Sequence, residues 1–243
     1  MARASLDLFG KQLDLVKAIK ETGTPVIIVL VNGKPISEPW LQNNIPAILE
    51  AWEPGNLGGQ AVAEIVFGEV NPSGKLPLTV ARSVGQLRMI YNHKPSAYFH
   101  KYADEKKTPL YPFGYGLSYT SYKYSTPLLS NSTLNKENTI LVTTEITNTG
   151  KVDGEEVAQL YIRDNVSSVT RPVKELKGYQ RVFLKAGETK KIKFTLNSES
   201  LAFYDIDMNY VVEPGTFTIM TGSSSKNSDL KKTILTVNKK IKL

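Results

Sequence analysis

Two rhythms of hydrophobic residues run through the first seventy positions. Leu8, Leu13, Leu15, Val16 and Ile19 recur at roughly helical spacing and predict a helix over residues 6–21, with Gly23 as its stop signal. The unbroken run from Val26 to Val31 predicts a strand buried on both faces, as in a parallel sheet, and Asn32-Gly33-Lys34-Pro35 ends it with turn chemistry. A short helical stretch around Trp40 leads to a second apolar strand, Ala47 to Trp52, and Pro54-Gly55-Asn56-Leu57-Gly58-Gly59 opens a helix from Gln60 to Phe67. Helix, strand, helix, strand, helix is the order of an α/β layer. Two parallel strands are too few for a stable open sheet, so the layer is expected to be incomplete, with its remaining strands on sequence upstream.

The pattern changes at Asn71. Asn71-Pro72-Ser73-Gly74-Lys75-Leu76-Pro77 is rich in turn residues, and residues 82–121 carry many aromatics with little periodicity. A stretch of that length without elements is unusual inside a compact domain, and it reads as a connector laid over domain surfaces. Beyond it the period becomes two. Ile140 to Thr147, Val157 to Arg163, Leu176 to Leu184, Lys190 to Leu196, Gly215 to Gly222 and Thr233 to Val237 alternate, with Gly, Pro and Asn between them. Short strands at such spacing predict a β-sandwich of the immunoglobulin or fibronectin III type. The expected organisation is therefore a partial α/β sandwich over 1–81, an aromatic-rich connector over 82–121 and an all-β sandwich over 122–243.

Composition narrows the chemistry. The chain holds no cysteine, which excludes disulfides and thiolate metal sites and favours the fibronectin type over an antibody-like domain. Its two histidines, His93 and His100, read as solvated loop residues, and no metal or organic cofactor is expected. The formal charge is +7, but from Ser223 onward six lysines stand against one acid, Asp229, a net +5 in the last 21 residues. The remainder is nearly balanced, so no extended nucleic-acid face is expected; the terminal lysines read as solubilising charges on an edge strand. No apolar run approaches the roughly 18 residues of a membrane span, and Met1 to Ser5 carries no signal-peptide core.

Several motifs together resemble the C-terminal portion of family 3 glycoside hydrolases of the β-glucosidase type. They are Ala47-Ile48-Leu49-Glu50-Ala51-Trp52-x-Pro54-Gly55 with Gly58-Gly59, Asn71 to Pro77, Arg82 to Gln86, Pro109 to Tyr119, Asn148-Thr149-Gly150, Arg171 to Gly178 and Val212 to Gly215. Their order from about Ser5 to Gly222 is more specific than any one of them. The resemblance implies a parent enzyme, periplasmic or secreted, with a barrel followed by an α/β sandwich and a fibronectin-like domain. It would hydrolyse a β-linked oligosaccharide or glucoside with retention, using two carboxyl groups about 5–5.5 Å apart. In the family the nucleophile is an aspartate on the barrel, and the acid/base a glutamate in a segment just before the one matched by Arg3 to Leu8. Neither position has a counterpart here, so no catalytic residue is assigned and the chain is expected to act as a scaffold, inactive alone. Glu53, Val80-Ala81, Ala103 and Lys106-Lys107 depart from the family pattern and leave the connector's contacts and the sugar specificity open.

Other residues invite chemistry. Glu155 and Glu156 are adjacent and would face opposite ways on a strand. Asp205 and Asp207 could share a face, but Asn209 points to a hairpin turn, and Asp104-Glu105 reads as solvated connector. The glycines from Gly55 to Gly59 lack the Gly-Lys-Ser/Thr ending of a phosphate loop and read as a tight strand-to-helix turn. Trp40 and Trp52 are flanked by apolar residues and read as packing groups rather than sugar platforms. The rival readings are a carbohydrate-binding or adhesion module, which would show a row of exposed aromatics, and a separate subunit that pairs with a barrel-bearing chain.

Overall fold

A computed structural model describes residues 4–86, 88–95 and 102–243. Residues 4–70, 79–86, 88–89 and 102–111 form one compact unit, and 71–78, 90–95 and 112–243 form the other.

The first unit contains helices α1 (Gln12–Glu21), α2 (Pro39–Asn44) and α3 (Gly58–Val66) and strands β1 (Ile27–Val31) and β2 (Ala47–Trp52). Helix α1 begins six residues later than its apolar spacing predicts. The Asp7 amide donates to the Ser5 hydroxyl, Gly10 takes a left-handed φ of +57° and the Phe9 amide donates to Gln12 Oε1, so the chain turns before it winds. Pro39 starts α2, where a missing N–H costs nothing, and the Glu38 carboxylate caps it by accepting from the Trp40 amide. Strands β1 and β2 pair in parallel from Ile27 opposite Ala47 to Leu30 opposite Glu50, and a bulge then sets Val31 opposite Trp52. Trp52 carries the turn with a φ of +51°, a costly conformation for a side chain of that size.

The expectation that β1 is buried on both faces is not met. Ile27 and Val31 are exposed, Val31 to 65%, and β2 is the only strand that pairs with β1 among the described residues. Residues 79–86 and 102–111 close on each other with little regular structure, a 3-10 turn at Val84–Gln86. Val80 bridges Tyr111, the Arg82 Nε donates to the Thr108 carbonyl at 3.0 Å, and Gln86 accepts from the Arg82 amide while donating to the Lys106 carbonyl. Polar side chains here replace the backbone ladder that periodic sequence would have supplied.

The second unit is the sandwich. Its strands are β3 (Tyr122–Tyr124), β4 (Leu128–Leu129), β5 (Thr133–Leu134), β6 (Ile140–Asn148), β7 (Gly154–Asp164), β8 (Glu175–Leu184), β9 (Thr189–Leu196), β10 (Phe203–Tyr204), β11 (Tyr210–Val212), β12 (Gly215–Gly222), β13 (Leu230–Val237) and β14 (Ile241–Lys242), with the one-turn helix α4 (Ser198–Leu201) after β9. One sheet runs β5-β13-β12-β7-β8; the second runs β3-β6-β4 with β9 also on β6; β10, β11 and β14 form a third. Alternation puts Ile140, Val142 and Ile146 of β6 against Ala158, Leu160 and Ile162 of β7 and Phe217 and Ile219 of β12 in one core. Each fully buried large side chain there contributes about 1.5–3 kcal/mol.

The five-stranded sheet is apolar on its outer face too. Tyr161, Met220 and Leu230 form a second cluster under Tyr91 and Phe113, whose rings stack at 4.2 Å. Residues 71–78 and 112–116 lie in the same layer: the Leu76 amide donates to the Tyr115 carbonyl and the Gly114 amide to the Leu76 carbonyl, both at 2.8 Å. The lysine-rich end departs from a simple edge strand. Strand β13 lies between β12 and β5, its free edge closed only at Thr236 and Val237, and Lys240 is held in an ion pair with Asp205.

Candidate functional site

Strand β7 turns Glu155 and Glu156 to opposite faces. Glu155 is half-exposed and meets Arg181 Nη1 at 3.2 Å across to β8. Glu156 is 2% exposed, with one oxygen 3.0 Å from the Lys75 ammonium and the other accepting from the Tyr124 hydroxyl at 2.8 Å. Each carboxylate is thus engaged by a different partner on its own side of the sheet. Asp205 and Asp207 sit in the turn between β10 and β11, where the Asp207 and Asn209 amides donate to Asp205 Oδ1 and Lys240 donates to Oδ2 at 2.9 Å. The Lys240 ammonium, then the Asn209 amide, hold the Asp205 carboxyl down at about 2. Such a group is an anion that shapes a hairpin.

Glu105 is not the solvated connector residue its sequence context suggests; it lies 3.8 Å from the buried Arg82 guanidinium. The His93 backbone carbonyl accepts from the Val173 amide, and His100 lies outside the described residues. No three His, Asp or Glu side chains converge to hold a metal ion among the described residues, and no helix among them is long and apolar enough to cross a membrane.

In the first unit the chemically richest point is the carboxyl end of β1 and β2, the side of a parallel sheet where ligands commonly bind. Glu50 accepts from Asn32 Nδ2 at 3.0 Å and from the Trp52 amide at 3.2 Å. Burial raises its carboxyl above the ordinary value, with those two donors opposing the rise. Gly55, at a φ of +68°, lets the chain leave β2 for α3 as a tight turn. Trp40 and Trp52 are each half-buried, and the Lys17 ammonium lies 5.4 Å from the Trp40 ring centre. Glu50 appeared in the sequence only as a polar residue inside an apolar strand, a position that itself signals a partner.

Two further groups escaped the sequence reading. Asp164 ends β7, and neither of its buried carboxylate oxygens meets a hydrogen-bond donor, although Arg171 attracts it and the Val166 amide leans toward it. Burial, the largest influence, raises it to about 6. Because the folded value lies above the ordinary 3.8, the native state holds this proton more tightly than the unfolded chain. Stability should therefore fall as pH rises from about 4 to 6 and stay lower above that. Asp164→Asn should flatten this slope and stabilise the chain at pH 7.5 by about 1 kcal/mol, with no gain at pH 4. Urea titrations at the two pH values measure both; an equal change at each pH would show that Asp164 does not titrate in this window. The second group is Lys174, 8% exposed, whose ammonium donates to the Ser225 carbonyl and to Asn227 Oδ1, both at 2.7 Å.

Comparison with known proteins accounts for this arrangement. Residues 1–119 match the glycosyl hydrolase family 3 C-terminal domain and residues 156–225 the fibronectin type III-like domain. A β-xylosidase from Formosa agariphila is 50% identical over 238 residues, which are 97% of this chain and 33% of that protein. A periplasmic β-glucosidase from Salmonella typhimurium is 42% identical over 92% of this chain and 31% of its own length. Among solved structures, a β-glucosidase from Erythrobacter marinus superposes with a TM-score of 0.92 at 44% identity, covering 97% of this chain and 31% of that one. A β-glucosidase from Listeria innocua in complex with glucose gives 0.90 at 36% identity, with 97% and 34% covered. The chain spans about a third of the length of the curated relatives it matches. It belongs to glycoside hydrolase family 3, of which it carries the C-terminal portion: the end of the α/β sandwich domain followed by the fibronectin type III-like domain.

Proposed function

We propose that this chain serves as the scaffold portion of an enzyme that hydrolyses terminal β-linked sugars with retention, and that it has no glycosidase activity alone. The observation that carries the reading is coverage: nearly the whole chain matches β-glucosidases and β-xylosidases, yet it matches only about a third of each. The first unit's surface supports it. Leu15 of α1 is 61% exposed, Val31 of β1 65% and Phe67 after α3 82%, and exposed apolar side chains of that size on three elements of one unit suit a partner surface. The partner that fits is the barrel-bearing part of such an enzyme.

Retaining hydrolysis needs a nucleophile and an acid/base about 5–5.5 Å apart on a sugar pocket. Glu156 is closed in by Lys75 and Tyr124, and Asp205 by Lys240 and its own hairpin. The purified chain should release no nitrophenol from aryl β-glucosides or aryl β-xylosides above background, using protein from a host deleted for its own β-glucosidases. Turnover that co-purified with the chain and vanished on replacing Asp205 and Asp207 with Asn, or Glu155 and Glu156 with Gln, would overturn the reading.

A further inference from the structure

The lysine-rich end of the sequence finds a use on the outer face of the five-stranded sheet. Arg163 of β7 lies opposite Thr218 of β12, and Lys232 of β13 opposite Met220, two residues along β12. Tyr161, opposite Met220, belongs to the outer cluster, so strand alternation puts Arg163 and Lys232 on that same outer face. Lys174 immediately precedes β8 at Glu175, which pairs with Ile162, and this sets it beside Arg163. Its side chain reaches the loop before β13, where it donates to Ser225 and Asn227.

Three cations from three places in the chain thus converge. No carboxylate lies within ion-pair distance of any of them among the described residues, whereas Arg171 and Lys240 each have one. Arg163 and Lys232 are exposed, while Lys174 is nearly buried. Burial first, then the charges of Lys232 and Arg163, lower the Lys174 ammonium to about 8, so the three side chains feel one another. An unopposed cluster around a desolvated ammonium is costly until an anion joins it. The Lys174 ammonium has a third proton beyond its two hydrogen bonds, and the guanidinium of Arg163 offers paired donors to an oxyanion.

We propose that Arg163, Lys174 and Lys232 form a binding site for a compact oxyanion: a sulfate or phosphate group, or the carboxylate of an acidic sugar. The site lies on the sandwich and is independent of the hydrolytic reading. Apolar Ile234, exposed on the same face opposite Thr218, offers a surface beside the anion for a sugar ring.

Thermal melts of the full chain in sodium sulfate, in sodium glucuronate and in sodium chloride at matched ionic strength test this. Specific binding stabilises the folded state by mass action, and the midpoint should rise by about 3 °C or more over the chloride control. The double variant Arg163→Gln with Lys232→Gln changes only exposed side chains and should lose that excess. A rise with sulfate alone identifies a doubly charged oxyanion as the ligand, and a rise with glucuronate alone a sugar acid; either supports the site. No excess over chloride in the natural chain, or the same excess in the variant, overturns it.

Discussion

Replacing Lys75 with Met should destabilise the sandwich unit by about 3–5 kcal/mol, the cost of leaving a buried charge without its partner. Lys75 is the sole cation within ion-pair distance of Glu156 among the described residues, and Glu156 is almost wholly inaccessible to water. The Tyr124 hydroxyl would remain as a donor, but a neutral hydrogen bond does not offset a desolvated carboxylate. The pair joins a residue of the turn-rich segment after Asn71 to the start of β7, so its loss should also loosen residues 71–78. Glu156→Gln in the Lys75→Met background should recover much of the loss, because the buried group is then neutral. Urea midpoints of the natural chain and both variants measure this. A cost below about 1 kcal/mol for Lys75→Met would mean that water or another group reaches Glu156.

Gly114→Ala should cost about 3 kcal/mol, for two separable reasons. The residue has a φ of +76°, where a Cβ is strained, and a Cβ there would fall on the side-chain amide of Gln159. That amide is committed: its Nε2 donates to the Gly114 carbonyl at 3.0 Å and the Ser223 carbonyl at 2.8 Å, and its Oε1 accepts from the buried Tyr161 hydroxyl. Moving it leaves buried polar groups unpaired. Gly187 provides the control, with a φ of +78° and no atom within 4 Å of its Cβ position. Gly187→Ala should show the backbone strain alone, about 1 kcal/mol. Equal losses in the two variants would remove the Gln159 network from the explanation.

These two positions show what was readable in the sequence. Pro112-Phe113-Gly114-Tyr115-Gly116 could be recognised as a motif, yet nothing local says that Gly114 must make room for a side chain 45 residues away. The same is true of Gly116, where a Cβ would fall on the Gly74 carbonyl oxygen. Glu155 and Glu156 could be separated by strand alternation alone, but that Glu156 faces a lysine from before the sandwich could not.

By itself the sequence determined the elements with enough periodic residues to repeat a pattern. The long strands β6, β7, β8, β9 and β12 were readable to within about three residues at each end, because alternation is a local property of a pleated chain. The motif order from Ser5 to Gly222 determined the family, since spaced turn residues record backbone conformations as well as composition. Tertiary structure decided the rest. Strands of two or three residues are too short for periodicity: β3, β4 and β5 form on the edge of a longer neighbour, and β10, β11 and β14 form only by pairing with one another. The division of the aperiodic stretch, with 79–86 and 102–111 in one unit and 90–95 in the other, follows side-chain hydrogen bonds that span 20 or more residues. The chemistry of Asp164, Lys174 and Glu50 also arises only in the folded chain, because burial and the charges of distant strands set a group's proton affinity, and neither is written in its neighbours along the chain.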